Sequence, residues 1–467
     1  MAAALCGCEL APGYAPPTIA LPNAYREAGW TEVTAAGNEP DRAWWSRFGD
    51  PELDRLEAAV LPGNQDLKAA LARYDDARAL ARETEAEQFP EVDISAGGEE
   101  GRLSQAVTNP QRRARYSDVN ARVDIAYELD AWGRIRDRVR AAAAEVRADS
   151  DDLTATTVSV QAELAGDYFA ARALDAQIGI ADQARDSFAR AASLVRRRLD
   201  AGLAADAGLA AAETALEGAR GRAVELRLRR ARLEHAIALL DGVAPAAFAL
   251  PTRDLSGDPP SFGVALPATL LQRRPDVAAA ERRVQAANYR IGVARAAFFP
   301  NFDLLAGAGG RASTPAAVLS APAEVWALGA SSVLQLLDGG RRRADLARAR
   351  AELRERAAEY RSTVLRALAE AEDALAAVRD LQEEEGGQTR SVAAAARTTA
   401  AAERRYRGGF ASRLEVLDAL QAELGARLGL AQIRARRFEA AVTLVKALGG
   451  GWRGPDASAI AGDRMGQ

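Results

Sequence analysis

The sequence is poor in the residues from which most catalytic and metal centres are built. Its 467 residues include one histidine, His235, and two cysteines, Cys6 and Cys8, near the N-terminus. A single histidine supports neither a histidine-ligated metal cluster nor a serine–histidine–aspartate triad within the chain. No disulfide and no cysteine-ligated metal site can form in the body of the protein. We therefore expect no catalytic residues, no metal and no cofactor, and we expect His235 to be partly buried on a helix face.

Long apolar runs are also absent, which limits how the chain could enter a membrane. No stretch of about 18 consecutive apolar residues occurs, and this excludes a transmembrane helix. A transmembrane β-barrel is not excluded, because its strands need only about 9–11 alternating residues. The net charge is −4, with 27% charged residues of both signs interspersed. Without a basic stripe we expect no nucleic-acid partner.

The N-terminus carries a short segment that resembles a bacterial lipobox. Small residues precede a cysteine in Leu5-Cys6-Gly7-Cys8, which makes Cys8 the predicted lipidation site and first mature residue. The apolar stretch before it is shorter than the roughly 7–15 residues that a secretory signal needs. Either the true start lies upstream, or the signal interpretation is wrong. The proline-containing segment that follows suits a tether between a lipid anchor and a folded body.

Most of the chain consists of two copies of one pattern. Three pairs of stretches correspond, namely 77–99 with 291–310, 123–142 with 331–350, and 198–216 with 405–420. Each copy begins with a helix of about 25 residues that ends at a Phe-Pro pair, because proline cannot continue a helix. Two strands follow, then a very long helix, a glycine-containing turn and a return helix of about 38 residues. We predict the long helices at roughly 133–199 and 341–406, each on the order of 100 Å long.

The clearest strand pattern runs from Val119 to Tyr127, where every odd position is apolar. This period of two indicates a strand with one apolar and one polar face. A looser version in the second copy is carried by apolar residues at alternate positions: Trp326, Leu328, Ala330, Leu334 and Leu336. Four strands cannot close a barrel, and an open edge cannot lie in lipid. Other copies of the chain must complete the sheet. Three copies give twelve strands, and two or four are also arithmetically possible.

These patterns predict a division of the chain into six parts. Residues 1–8 hold a truncated lipoprotein signal and lipobox, and residues 9–63 an extended tether and a first helix. Residues 64–250 form the first repeat and 275–452 the second, joined by a linker at 251–274. Residues 453–467 are a C-terminal tail.

Several stretches resemble the outer-membrane factor family of TolC-like efflux channels, in particular its lipoprotein branch that serves resistance–nodulation–division pumps. The matching stretches are WWSRFGDPELDRL (44–56), NQDLKAALARYDDARA (64–79), LPATLLQRRPDVAAAERRVQAANYRIGVARAAFFPNFDL (266–304) and RYRGGFASRLEVLDAL (405–420). The resemblance covers the chain from Cys8 to about Trp452. It implies a mixed, mostly α fold in which three chains form a 12-stranded transmembrane β-barrel continued by a periplasmic α-helical barrel. It also implies a passive exit duct in the outer membrane, anchored by lipid, that docks on a periplasmic adaptor and an inner-membrane pump.

The resemblance assigns roles to the two glycine-containing turns. Glycine tolerates the left-handed backbone that ends one helix and starts the next. By likeness to the family's Val-Gly-Leu tip motif, the expected adaptor-docking residues are Ala201, Gly202, Leu203, Gly408, Gly409 and Phe410. Both turns depart from the motif at its first position, and Phe410 is bulkier than the usual residue. The alternative interpretation is a plain helix turn with one buried apolar residue.

Three residues of the second copy match the periplasmic gate of related channels. Glu415 and Asp418 match acidic positions that line the closed aperture, where threefold symmetry would make two rings of carboxylates. Tyr406 matches a latch tyrosine that could hydrogen-bond across helices when the channel is closed. A local alternative competes for Glu415, because Ser412 and Glu415 also have the spacing of a capping box.

Two other functions are compatible with the sequence. One is a coiled-coil scaffold or adaptor without a pore, against which the paired alternating strands argue. The other is a carboxylate-dependent hydrolase, for which no acidic pair stands in a pocket-forming context. The sequence identifies neither the transported compounds nor the cognate adaptor and pump.

Overall fold

A computed structural model of the chain describes residues 10–27, 40–102, 104, 115–264 and 267–452. The strands are β1 (Glu91–Arg102), β2 (Arg115–Glu128), β3 (Asn301–Ala312) and β4 (Glu324–Val333). The helices are α1 (Pro51–Gly63), α2 (Gln65–Ala86), α3 (Arg134–Asp200), α4 (Asp206–Leu240), α5 (Pro267–Leu270), α6 (Pro275–Ala296), α7 (Arg341–Arg407) and α8 (Arg413–Ala447).

The order of elements is the one that the repeats predict. The long helices α3 and α7 have 67 residues each and lie within one residue of the predicted bounds. The return helices α4 and α8 have 35 residues each, slightly fewer than expected. The helices before each Phe-Pro pair have 22 residues. Equivalent aspartates precede the two long helices and accept hydrogen bonds at their starts. Asp130 accepts from the backbone amides of Ile135 and Arg136, and Asp338 accepts from those of Gly340 and Arg342.

The four strands form one antiparallel sheet in the order β1-β2-β3-β4. The predicted strand at 119–127 lies within β2, which confirms the period-two pattern. The prediction for the second copy was partly wrong, because β4 ends at Val333 and Leu334 and Leu336 lie beyond it. The apolar alternation continues past the last ladder pair, Asn301 with Val333, so the pattern alone could not locate the strand end.

The chain divides into two compact units, each assembled from segments of both predicted repeats. Unit 1 contains the described parts of 1–18, 73–150 and 279–361, and unit 2 those of 19–72, 151–278 and 362–467. The sheet belongs to unit 1. The six-part division predicted above stays a prediction. Within the described ranges, no helix combines the length and the apolar character needed to cross a bilayer.

The main core of unit 2 joins the first helix to the long and return helices. Trp44 and Leu53 are fully buried against the buried part of α3. Phe48 packs with its ring centroid 4.7 Å from that of Phe169, and Phe169 lies 4.8 Å from Phe438. This aromatic contact ties the N-terminal segment, α3 and α8 into one core.

In unit 1, the segment before residue 18 is fixed along one face of α6. The Asn288 side chain donates to the carbonyl oxygen of Pro12 at 2.7 Å, and Arg295 donates to that of Leu10 at 2.9 Å. Ala11 lies so close to Gly292 that a Cβ there would come within 2.9 Å of the alanine methyl group. The predicted tether is therefore bound to the helix over these residues.

Candidate functional site: two helical turns and a two-faced sheet

The two turns of unit 2 have the same backbone geometry. In the first, Gly202 has φ 71°, and the amide of Leu203 donates to the carbonyl of Arg198 at 2.7 Å. In the second, Gly409 has φ 77°, and the amide of Phe410 donates to the carbonyl of Arg405 at 2.8 Å. This is the Schellman arrangement, in which a residue in the left-handed region ends the helix. The glycines are required because only glycine enters that region without steric cost.

Each turn presents one large apolar side chain to solvent. Leu203 is 77% exposed and Phe410 is 80% exposed. The expectation of a buried apolar residue in a plain helix turn therefore does not hold for this chain. The Phe410 ring folds back over Gly408, where a Cβ would lie 3.0 Å from the ring. Ala201, Gly202, Gly408 and Gly409 are exposed as well, so all six predicted docking residues are accessible in the described chain.

The predicted gate residues lie around the second turn, each in a different setting. Ser412 and Glu415 form a complete capping box at the start of α8, as the local alternative predicted. The Glu415 carboxylate also lies 3.4 Å from Arg405. Asp418 is exposed on α8. A gating role for these acids stays a prediction, and the capping role of Glu415 is confirmed.

Tyr406, the third predicted gate residue, is half-buried at the end of α7. Two guanidinium groups lie over its ring, that of Arg198 at 5.7 Å and that of Arg413 at 5.4 Å from the ring centroid. Cation–π attraction operates at these distances. No local sequence pattern indicates this contact, because Arg198 belongs to the first turn and Tyr406 to the second.

One face of the sheet in unit 1 is apolar and exposed. Residues opposite one another in register share a face, so the pairings give two rows across all four strands. The rows are Ile94, Val123, Ala308 and Trp326, and next to it Val92, Ile125, Ala306 and Leu328. Ile94 is 83% exposed and Trp326 is 74% exposed. An apolar surface of this extent needs an apolar environment.

The opposite face is polar. Here the rows are Asp93, Asp124, Gly307 and Ala327, and next to it Ser95, Arg122, Gly309 and Val325. Arg122 pairs with Asp124 at 2.9 Å. A Cβ on Gly307 would come within 2.5 Å of the Asp124 carboxylate, so the glycine leaves the space into which these side chains extend. The sheet therefore has one apolar face and one polar face.

The remaining predicted residues contribute little to a site. Cys8, the predicted lipidation site, lies outside the described residues. His235 is exposed rather than partly buried, so the expectation for it was wrong. Among the residues that the structure describes, no group of three or more histidine, cysteine, aspartate or glutamate side chains could hold a metal ion.

Residues 274–276, Arg-Pro-Asp in the third stretch that resembles the efflux channels, form a structural junction in unit 2. Arg274 is buried, and its guanidinium donates to Asp276, to Glu370 on α7 and to the carbonyl oxygen of Ala447 on α8. No local sequence pattern indicates the two distant partners, Glu370 and Ala447.

Comparison with known proteins agrees with this arrangement. The family described as "Outer membrane efflux protein" matches the chain twice, over residues 58–243 and 266–450. The antibiotic efflux pump outer membrane protein ArpC of Pseudomonas putida is 31% identical, with 96% of this chain and 93% of the relative covered. The pyoverdine export outer membrane protein OpmQ of P. putida KT2440 is 32% identical, covering 94% of both. The solved structure of the outer-membrane channel OprN superposes with a TM-score of 0.88 at 31% identity, covering 96% of this chain and all of that one.

Proposed function

The chain belongs to the outer membrane efflux protein family, and from that premise we propose that it is the exit channel of a tripartite efflux system. In this proposal it works as a passive duct in the outer membrane through which a pump expels small solutes. The observation that carries the proposal is the sheet of unit 1, which has one exposed apolar face and one polar face. Such a sheet fits a wall between lipid and an aqueous bore.

The edges of the sheet support an assembly of several chains. Within the described residues, β1 and β4 each pair with a neighbour on one side only. An unpaired strand edge is not tolerated in the hydrocarbon layer, because its amide and carbonyl groups would lack hydrogen bonds. We propose that β4 of one chain pairs with β1 of the next, and that three chains close a 12-stranded barrel continued by the periplasmic helices.

The two helical turns support docking on a periplasmic adaptor. Leu203 and Phe410 expose apolar side chains on well-defined Schellman turns, which gives rigid apolar contact points of the kind found at the centre of interfaces. We propose that these two turns contact the adaptor, which joins the channel to a resistance–nodulation–division pump in the inner membrane.

The aperture and the anchor are the remaining parts of the proposal. Three copies of the exposed Asp418, together with Glu415 of the same helix, would place rings of carboxylates at the periplasmic opening. Acylation of Cys8 would add a lipid anchor in the outer membrane. The described tether, bound to α6 at Leu10, would connect this anchor to the helices.

A coiled-coil scaffold or adaptor without a pore is the alternative function. A scaffold has no use for a sheet whose exposed face carries Ile94 and Trp326. The comparisons do not identify the transported solute, since the similar proteins ArpC and OpmQ are named for antibiotic efflux and for pyoverdine export.

The test is purification of the full chain in detergent followed by insertion into a planar lipid bilayer. We expect an oligomer that dissociates on heating and gives ion conductance across the bilayer. A water-soluble monomer without conductance would contradict the proposal and favour the scaffold.

A further inference from the structure

The two strand pairs of unit 1 are equivalent residue by residue. At the end of the sheet that leads into the helices, the β1–β2 ladder stops with Glu91 opposite Ala126. The β3–β4 ladder stops there with Asn301 opposite Val333. Ala126 and Val333 are thus equivalent positions, 207 residues apart, and the first residues of α3 and α7 have the same separation. This alignment places the second copy one residue earlier than the match found in the sequence.

Within the chain, the two copies meet where β2 pairs with β3. On its β1 side, β2 is paired only as far as Ala126, but on its β3 side the ladder continues to Glu128. The amide of Leu129 then donates to the carbonyl oxygen of Phe302 at 2.8 Å, and Leu129 is half-buried. The strand is therefore two residues longer on the side where it meets the other copy.

The equivalent segment after β4 is residues 334–336, and it has the same side-chain support. Arg341, at the start of α7, donates to Gln335 at 3.3 Å. At the equivalent positions Arg134, at the start of α3, donates to Glu128 at 3.0 Å. The segment after β4 is thus held as the end of β2 is, although β4 is an edge strand of the described sheet.

The two edges of the sheet expose apolar side chains that match each other. Leu336 is 81% exposed, whereas Leu129 at the equivalent position is half-buried. On the other edge, Val92 and Ile94 are exposed. The strands β1 and β4 run antiparallel, as β2 and β3 do, so a second copy of the chain can place its β1 beside β4. Lipid covers apolar side chains as well, but it offers no hydrogen bonds to an unpaired strand edge.

We infer that residues 334–336 extend β4 when a second copy of this chain binds, and that the register of this junction repeats the register between β2 and β3. The inference rests on the proposed function, to which it adds the pairing of individual residues. Carrying the β2–β3 register over places Val333 opposite the partner's Ser95, Leu334 opposite the partner's Ile94 and Gln335 opposite the partner's Asp93.

The chemistry of these pairs fits the two faces of the sheet. Leu334 meets Ile94 on the apolar face, and Gln335 meets Asp93 on the polar face. The glutamine amide can donate to the carboxylate of Asp93, whereas a second carboxylate at this place would repel it. The apolar alternation that continues past Val333 is thus explained by the neighbouring chain, because Leu334 and Leu336 face its β1.

Cysteine pairs test the register in the oligomer of the full chain in membranes. Directly opposite residues have Cβ atoms about 4.5–5.5 Å apart, and residues displaced by two about 7–8 Å, which is too far for a disulfide. Under mild oxidation, Gln335→Cys with Asp93→Cys should give at least about tenfold more covalent oligomer than Gln335→Cys with Glu91→Cys or with Ser95→Cys. Within one chain β2 and β3 separate β1 from β4, so each disulfide must join two chains.

Further variants serve as controls on a denaturing gel without reductant. Val333→Cys with Ser95→Cys probes the same register inside β4 and should also cross-link. The unmodified chain, whose own cysteines are Cys6 and Cys8, and the single variants give the background. Cross-linking of Val333 with Ser95 but not of Gln335 with Asp93 overturns the extension of β4. Preferred cross-linking of Gln335 with position 91 or 95 overturns the register.

The outcomes separate this inference from the proposed function. Each double variant is first kept reduced and tested for heat-dependent dissociation and bilayer conductance, which shows that the assembly has formed. If Asp93→Cys prevents assembly, Leu334→Cys with Ile94→Cys tests the same extension on the other face. A conducting oligomer in which no pair of the extension cross-links overturns the inference and leaves the channel standing. An unmodified chain that stays monomeric and never conducts contradicts the channel and the inference together.

Discussion

The Arg274 guanidinium lies 2.7 Å from the Glu370 carboxylate, although 96 residues separate them in sequence. The Arg274 side chain is only 8% exposed, and it also donates to the carbonyl oxygen of Ala447 at 3.2 Å. One side chain therefore holds the start of α6, the middle of α7 and the end of α8 together within unit 2.

Replacing Arg274 by alanine should weaken unit 2. The change leaves the Ala447 carbonyl and two carboxylates without their donor, and we expect a loss on the order of 2–3 kcal/mol in the free energy of unfolding. Urea unfolding followed by circular dichroism measures it. The control is Arg220→Ala, which removes an exposed pair with Glu217 and should cost less than about 0.5 kcal/mol. Equal losses for the two variants would show that Arg274 has no structural role.

A buried glutamate should make the stability of unit 2 depend on pH. Glu57 is fully buried, and burial together with the nearby Asp54 raises its pKa from 4.5 to about 9. The folded chain therefore keeps the proton that the unfolded chain loses above its ordinary pKa. This contribution to stability is fully present below about pH 4.5 and is lost as the pH rises towards 9.

Glu57→Gln removes this titration while keeping the shape of the side chain. We expect the urea midpoint of the variant to fall less than that of the unmodified chain between about pH 5 and pH 8. The exposed Glu217→Gln serves as control and should follow the unmodified chain. Parallel pH profiles for Glu57→Gln and the unmodified chain would rule out a buried proton on Glu57.

Replacing a turn glycine by alanine should lower the stability of the protein, whereas replacing a glycine inside a helix should raise it. Gly202→Ala and Gly409→Ala place a Cβ in the left-handed region, at a cost of about 1–2 kcal/mol each. Gly218→Ala lies within α4 in open space and should stabilise the helix by up to about 1 kcal/mol. Trypsin cleavage near Arg404 and Arg405 reports local opening of the turn. Faster cleavage in Gly409→Ala is expected, and faster cleavage in Gly218→Ala would contradict the argument.

Substitution by arginine should have very different effects on membrane assembly at two neighbouring residues of β1. Ile94 lies on the apolar face and Ser95 on the polar face of the sheet. An arginine facing lipid near the middle of the bilayer costs about 2–4 kcal/mol, whereas one facing an aqueous bore costs little. We expect Ile94→Arg to reduce recovery of the heat-labile oligomer from the membrane fraction, and Ser95→Arg to leave it unchanged. The reverse result would assign the two faces the other way round.

The exposed residues of the two turns should be needed for efflux but not for assembly. Leu203→Asp and Phe410→Asp place a charge where an apolar contact with the adaptor is proposed, and such a charge should weaken docking at least tenfold. The readout is the sensitivity of a producing strain to toxic solutes, with oligomer recovery measured in parallel. Leu319→Asp, in the exposed β3–β4 connection, is the matched control. Full efflux with both Leu203→Asp and Phe410→Asp would show that the turns are not part of the docking surface.

The features that the sequence predicted correctly are local in the chain. Phe-Pro pairs end α2 and α6, and glycines at 202 and 409 end α3 and α7, because each acts on the backbone at its own position. The capping box at Ser412 is likewise a contact between residues three apart. The end of β4 was misplaced because alternation continues beyond the last hydrogen-bonded pair, and the pairing depends on β3.

By itself the sequence determined the order of the long helices and strands, the positions of the turns and the polarity of the two faces of β2, since dihedral preferences and side-chain alternation depend on each residue and its immediate neighbours. Only the tertiary structure decided which residues meet across the chain. The register that aligns Ile94, Val123, Ala308 and Trp326 in one row, the three partners of Arg274, and the arginine pair around Tyr406 all depend on contacts between distant segments. Such contacts form only when packing has brought distant elements together, so no local sequence pattern predicts them.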